Sequence, residues 1–508
     1  MRGNILIDGR RLTRRDFCAV VLGNHRVDLS PQAHRAMQRS RASVEKIIAE
    51  KQVVYGVNTG VGSLSTEHID PAAARELQLN VVRSHSCGVG EPLGAAETRG
   101  LLLLRANTLA RGLSGVRPLI AETLCAFLNH GIYPVVPRRG SVGASGDLAP
   151  LAHVALTLVG EGDVVFRGRR QRASVALKST GIKPVTLEAK EGLSLVNGTQ
   201  AMLSLGLLAL REAEILANTA DVAGALSLDS LRGSTRAFDE RLHAARPHPG
   251  QMVSARNLAR LNRGSTINKS HQGCSRVQDA YSLRCMPQVH GAVRDALTYA
   301  RQVFEIEMNS ATDNPLVFAD TGEVISGGNF HGQPVAIALD LMAIVLTQLG
   351  GIAERRVDRM VNPLTSELPA FLAHSPGLES GLMIAQVAAA ALASESKMLA
   401  HPASVDSIPT SGNKEDYVSM GMAAALKLQP VIANVRNILA IEFLCACQAL
   451  DFLAPLRSGK LAEQARALVR KVSPHIAKDR PLHADIARVA GLISEGVLAG
   501  IVAPGSRI

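Results

Sequence analysis

Residues Arg138 to His153 read RRGSVGASGDLAPLAH, a run of small residues and hydroxyls set directly before an apolar helical pattern. Gly140, Ser141, Gly143, Ala144, Ser145 and Gly146 make poor core, poor helix and poor strand, so the segment predicts a loop. From Leu148 onward the pattern predicts a helix, with Asp147 placed to cap it, Pro150 tolerated in the first turn and Gly160 marking the end. Ala144, Ser145 and Gly146 then sit where free backbone N–H groups and the positive potential of a helix start converge. A structural turn, an anion-binding turn and a serine nucleophile all fit that position. The GxxxxGKS/T of a phosphate-binding loop is missing, and the glycine spacing does not make GxGxxG. Asp147 stands where a GxSxG elbow needs its second glycine. Spacing leaves the choice open.

The elements that must position such a loop read as helices. ETRGLLLLRANTLARGL, QAMLSLGLLALREAEILANTADVAGAL, AVRDALTYARQVFEIEMNSA and VIANVRNILAIEFLCACQALDFL all repeat apolar residues at i, i+3, i+4 and i+7. Between the long helical windows lie loop clusters: YGVNTGVGS, RPHPGQM, SGGNFHGQP and HPASVDSIPTSGN. Functional side chains concentrate on loops of this kind. The expected organisation is a loop-rich N-terminal region, residues 1–205, followed by a long-helix bundle, residues 206–508, with a small helical appendage around RPLHADIARVAGLI. The fold class is all-α, with a long central helical bundle.

Composition narrows the function classes. With 508 residues, 46% of them hydrophobic, the chain can bury a large core, and 3% aromatics without Trp favours helix packing over sandwiches or barrels. Lys and Arg number 55 against 44 Asp and Glu, for a net charge of +11. The excess is spread out; its densest run, RGRRQR at Arg167 to Arg172, reads as a solvated polar connection without interleaved aromatics, so no nucleic-acid partner is expected. An anionic small molecule suits the charge as well. Seven cysteines, an odd number without a CxxC, fit a reducing cytoplasm, and Cys445 and Cys447 read as small core residues. The N-terminus shows no signal-peptide apolar region. The longest apolar stretches are interrupted by Asp340, Gln348 and Gln386, which points to buried bundle helices and not membrane spans. His271, His290, His331 and His401 lack metal-ligand spacing, so no metal is expected.

GSVGASGDLAPLAH resembles the signature of the ammonia-lyases and aminomutases whose internal Ala-Ser-Gly cyclises into 4-methylideneimidazole-5-one, the MIO electrophile. The residue types suit that chemistry. Gly146 has no side chain to obstruct attack of its amide nitrogen on the Ala144 carbonyl; Ser145 supplies the hydroxyl whose loss leaves a methylidene; Ala144 is small enough for the bend. Two waters leave, and no other cofactor is implied. The resemblance continues in family order through YGVNTGVGSLS, NVVRSHSCGVGEPL, EGLSLVNGTQ, VQDAYSLRCMPQVHGA, EMNSATDNPL, SGGNFHGQP and LAHPASVDSIPTSGNKEDYVSMGM, and within the family these segments are most similar to the histidine-active bacterial members.

Resemblance implies an ammonia-lyase-like fold, a homotetramer whose active sites are shared between subunits, and non-oxidative loss of ammonia from L-histidine to give trans-urocanate. Elimination from tyrosine or phenylalanine, or 2,3-aminomutation, is the alternative. Tyr55 matches the family's base for the β-proton. Tyr281 and Glu415 match further catalytic positions, and His85, Asn197, Gln278, Arg284 and Phe330 match substrate-binding ones. Arg284 offers a planar fork to the substrate carboxylate. Gln278, Tyr281 and Arg284 lie three apart, so in a helical turn ended by Pro287 they would share a face. Glu415 can pair with imidazolium or the substrate ammonium, where phenylalanine-type relatives usually carry glutamine. The sequence departs from the histidine-active pattern at Val61, Gly412, Lys414 and Tyr417, where Phe, Ala, Gln and His are usual. Two readings from other classes make different predictions. A serine hydrolase keeps the Ser145 hydroxyl that MIO formation destroys, and a basic nucleic-acid-binding protein shows steeply salt-dependent binding.

Overall fold

The computed structural model describes residues 4–274 and 276–503. Among them are nineteen α-helices and nine strands of three or four residues, the strands gathered into four small sheets. The all-α class and the long central helices hold. The RGRRQR segment differs from its expectation. Strands Asp163–Phe166 and Arg169–Arg172 form a hairpin turning at Arg167 and Gly168, both at positive φ, and Arg170 and Arg172 pair with Asp163 across it.

The chain forms two compact units. The first gathers the chain up to Leu208 with Arg301–Leu339 and Pro402–Leu426; the second gathers Ala209–Ala300, Asp340–His401 and the chain from Lys427. The helices Gln200–Ser230, Met286–Met308, Gln333–Val361 and Gly421–Asp451 each give residues to both.

In the first unit the helix Ala95–Ala110 is buried on every side from Thr98 to Ala110, as a helix with no polar face must be. Glycine lets it approach its neighbour: a Cβ at Gly100 would lie 2.1 Å from the Ser204 Oγ. Its buried Arg105 donates to the Asn197 carbonyl at 2.9 Å and the Gln200 side chain at 2.8 Å, so one cation ties together the turn where the helix Gln200–Ser230 begins.

The second unit encloses a polar core of its own. Glu442 accepts from Arg356 and Ser227, and Asp221 from His290, Arg294, Ser254 and Asn257. Burial pushes the Asp221 carboxyl up, but Arg294, His290 and Ser254 outweigh it and hold the group well below the usual range. Among the described residues two helices have the length and hydropathy of membrane spans, Gln333–Val361 and Gly421–Asp451, and 61% and 78% of their most apolar windows are buried within the protein, the pattern of core helices. Cys445 and Cys447 are fully buried there, as expected of small core residues.

Candidate active site

All of the geometry around Ser145 lies in the first unit. Gly146 pairs with Gly198 as an isolated parallel bridge, using the Asp147 N–H to the Gly198 carbonyl at 2.6 Å and the Gly198 N–H to the Ser145 carbonyl at 3.3 Å. That pairing leaves the Gly146 N–H outside it. At the other end, the Val142 carbonyl accepts from the Met420 N–H at 2.9 Å and the Gly143 carbonyl from the Ser419 hydroxyl at 3.2 Å. The tripeptide is therefore pinned on both sides. Gly146 has φ +76°, and a Cβ there would stand 2.1 Å from the Gly198 oxygen, so only glycine fits so close a backbone approach.

The helix after the loop, Leu148–Leu158, forms as its apolar spacing predicts, but the Asp147 side chain does not cap it. Asp147 Oδ2 accepts instead from the N–H groups of Ala201 and Met202, both at 2.9 Å, and so caps the helix Gln200–Ser230. Burial pushes this carboxyl up to about 7, against the pull of those two N–H groups and of Ser141. Glu307, hydrogen-bonded by the Thr199 hydroxyl, is raised by burial too.

Ser145 opens on a cleft of about 1200 Å³ lined also by Tyr55, His85, Asn197, Phe330 and Glu415. Tyr55 belongs to the Gly-rich loop before the short turn Gly62–Leu64, and its hydroxyl oxygen accepts from the Gly62 N–H at 3.2 Å. His85 is the last residue of the helix Ala74–His85. Its Nδ1 lies 2.8 Å from the Val81 carbonyl, which can only accept, so Nδ1 donates there and the neutral ring offers Nε2 as an acceptor. Glu415 Oε1 accepts from the Ser145 hydroxyl at 3.0 Å and Oε2 from the Thr410 hydroxyl at 2.8 Å.

Asn197 ends the short helix Glu191–Val196. Its Nδ2 donates to Asp313 Oδ1 and the Asn314 carbonyl, each at 3.2 Å, while its buried Oδ1 has no partner among the described residues. Asp313 is in turn paired with Lys190 at 3.0 Å, both side chains fully buried. Burial would raise Asp313, but the Lys190 and Arg105 cations outweigh it and hold the carboxyl low.

Gln278, Tyr281 and Arg284 belong to the second unit. Their expected helical turn is also different. Residues 276–280 have no regular secondary structure, the helix Tyr281–Arg284 begins after Gln278, and Pro287 opens the helix Met286–Met308 where it was expected to end one. Proline suits a first turn, which needs no N–H there. Tyr281 is 71% exposed, and the Arg284 guanidinium lies 4.6 Å from its ring centre.

Sequence reasoning passed over Thr410, Asp313 and Lys190. The segments holding Thr410 and Asp313 were recognised, but a lone hydroxyl or a charge whose partner lies over a hundred residues away gives no periodic signal. Of the unusual residues, Val61 and Lys414 line the cleft, while the exposed Tyr417 stacks against His331 with ring centres 6.2 Å apart. Among the described residues no cluster of three metal-ligating side chains occurs.

The profile of the family described as aromatic amino acid lyase matches residues 12–471. A histidine ammonia-lyase of Koribacter versatilis is 58% identical over 506 residues, covering 97% of this chain and 98% of that protein. One of Myxococcus xanthus is 54% identical over 501 residues, 99% of each. Among solved structures, histidine ammonia-lyase from Trypanosoma cruzi superposes with a TM-score of 0.92 at 42% identity, covering 99% of this chain and 95% of that one. Tyrosine aminomutase from Streptomyces globisporus superposes with 0.93 at 41% identity, covering 100% and 99%.

Proposed function

The chain belongs to the aromatic amino acid lyase family, and from that premise we propose that it removes ammonia from L-histidine to give trans-urocanate, acting as a carbon–nitrogen lyase. The observation that carries the reading is the pinned Ala144-Ser145-Gly146 tripeptide, with Ser145 sharing one cleft with Tyr55, His85 and Glu415. The tripeptide fits a self-made MIO group: Gly146 sits in a left-handed cradle that a Cβ would fill, and its N–H lies outside the bridge. When formed, MIO supplies an electron-poor methylidene that makes the substrate amine a better leaving group.

The side chains divide the remaining work. Tyr55 takes the β-proton as its phenolate, and the Gly62 N–H donates a hydrogen bond to the same oxygen. Acceptors at His85 Nε2 and at the Glu415 carboxylate suit a substrate rich in N–H donors, as an imidazole-bearing amino acid is. Asn197 and Phe330 hold the substrate from the cleft walls. The exposed Tyr281, with Gln278 and Arg284, completes the site from a neighbouring subunit of a homotetramer, where the Arg284 fork takes the carboxylate. The free cysteines fit a cytoplasmic location.

Elimination from tyrosine or phenylalanine, or aminomutation, is the second reading, supported by the likeness to tyrosine aminomutase. Purified protein offered L-histidine, L-tyrosine and L-phenylalanine separates the two. Urocanate as the main product supports the first reading; coumarate, cinnamate or a β-amino acid overturns it.

A further inference from the structure

Glu415 reaches the cleft from an irregular turn, and an irregular turn does not by itself hold a carboxylate still. Thr410 and Glu415 face each other as an isolated antiparallel bridge. The Thr410 N–H donates to the Glu415 carbonyl at 2.9 Å and the Glu415 N–H to the Thr410 carbonyl at 3.3 Å. Between them Ser411, Gly412 and Asn413 all adopt left-handed φ, at 50°, 61° and 63°. Ser411 is neither glycine nor asparagine, so the turn holds one residue in a conformation it disfavours and depends on contacts at its base. One such contact is a side chain: the Thr410 hydroxyl donates to Glu415 Oε2 at 2.8 Å, which leaves Oε1 aimed at Ser145. The tip of the turn also packs on the Tyr55 loop, for a Cβ at Gly62 would stand 2.7 Å from the Ser411 Oγ.

We propose that Thr410 is a positioning residue for the reaction, fixing which oxygen of Glu415 is presented to the substrate and where. The proposal rests on the reading of Glu415 as a substrate-contacting carboxylate. A hydroxyl on the inner oxygen removes the carboxylate's rotational freedom before substrate arrives, so its loss leaves Glu415 present but free to turn. Thr410 touches no reacting atom and acts through its neighbour alone.

The test uses the full-length protein as Thr410→Val, Thr410→Ser, Glu415→Gln and the double variant Thr410→Val/Glu415→Gln. Steady-state kinetics on L-histidine are read beside the intact mass, which reports loss of two waters whatever the activity. We expect Thr410→Val to lower kcat/KM by about 10- to 100-fold, the worth of a hydrogen bond to a charged group. Thr410→Ser, which keeps the hydroxyl, should stay within about threefold of wild type. The double variant should fall no further than Glu415→Gln alone, because the hydroxyl then has no carboxylate to hold. A merely structural threonine would give additive losses. Additive losses, or near-normal turnover in Thr410→Val beside an impaired Glu415→Gln, overturn the proposal. Unchanged turnover in Glu415→Gln overturns the underlying reading of Glu415 instead.

Discussion

Replacing Gly146 by alanine tests whether the shape of the loop, beyond the presence of a serine, makes the tripeptide reactive. The new Cβ would lie 2.1 Å from the Gly198 carbonyl oxygen, a backbone atom that cannot swing aside. Reaching an ordinary carbon–oxygen contact of about 3.3 Å requires a displacement of about 1 Å. Alanine at φ +76° adds a left-handed penalty of about 1–2 kcal/mol. The displacement also costs the two bridge hydrogen bonds, Asp147 to Gly198 and Gly198 to Ser145, at about 0.5–1.5 kcal/mol each. The sum, about 2–5 kcal/mol, is below the about 5–15 kcal/mol that stabilises a typical domain, so the variant should still fold. Cyclisation should suffer more than folding, because a misplacement of about 1 Å between reacting groups costs on the order of 100-fold in rate. Intact-mass measurement should therefore find a large fraction of Gly146→Ala still carrying both waters, with turnover reduced in proportion and circular dichroism near wild type. Complete loss of two waters with normal turnover would refute the geometric argument.

Ser145→Ala should abolish turnover while lowering the thermal midpoint only slightly, since alanine keeps the backbone bonds that pin the loop and lacks only the methylidene precursor; turnover near wild type would contradict the MIO reading. Tyr55→Phe should cut kcat by about 10²- to 10⁴-fold with the mass still two waters light, and an unchanged kcat would remove Tyr55 from the proton transfer. Asp147 should make stability fall with rising pH. Its carboxyl holds its proton up to about 7 in the fold against 3.8 ordinarily, so the native state binds more protons between these values. The stabilisation is complete below about pH 4 and lost as pH rises through 7, a change of at most about 4 kcal/mol. Asp147→Asn should gain on wild type by up to that amount between about pH 4 and pH 8, and thermal midpoints that differ equally at both ends would refute it.

Much of this molecule is legible residue by residue. The long helices and the loops between them follow from local spacing, because helix periodicity depends on neighbours in the chain, whereas the Ala-Ser-Gly signature and the order of loop segments are legible through their resemblance to a family. Tyr55, His85, Ser145, Asn197, Phe330 and Glu415 could be named by the resemblance of their segments to the family, and the fold brings them to one cleft. Other features are invisible in a linear reading. Asp147 looks like the cap of its own helix, yet it holds the start of another one more than fifty residues on. Asp313 looks like a loop residue, yet it is the buried counter-ion of Lys190 and the anchor of Asn197. Pro287 looks like a stop and proves to be a start. In each case several conformations satisfy the local preferences equally, and the choice falls to a partner brought near by folding. A buried charge must find its counter-charge, and an orphan N–H its acceptor, wherever in the chain these happen to lie.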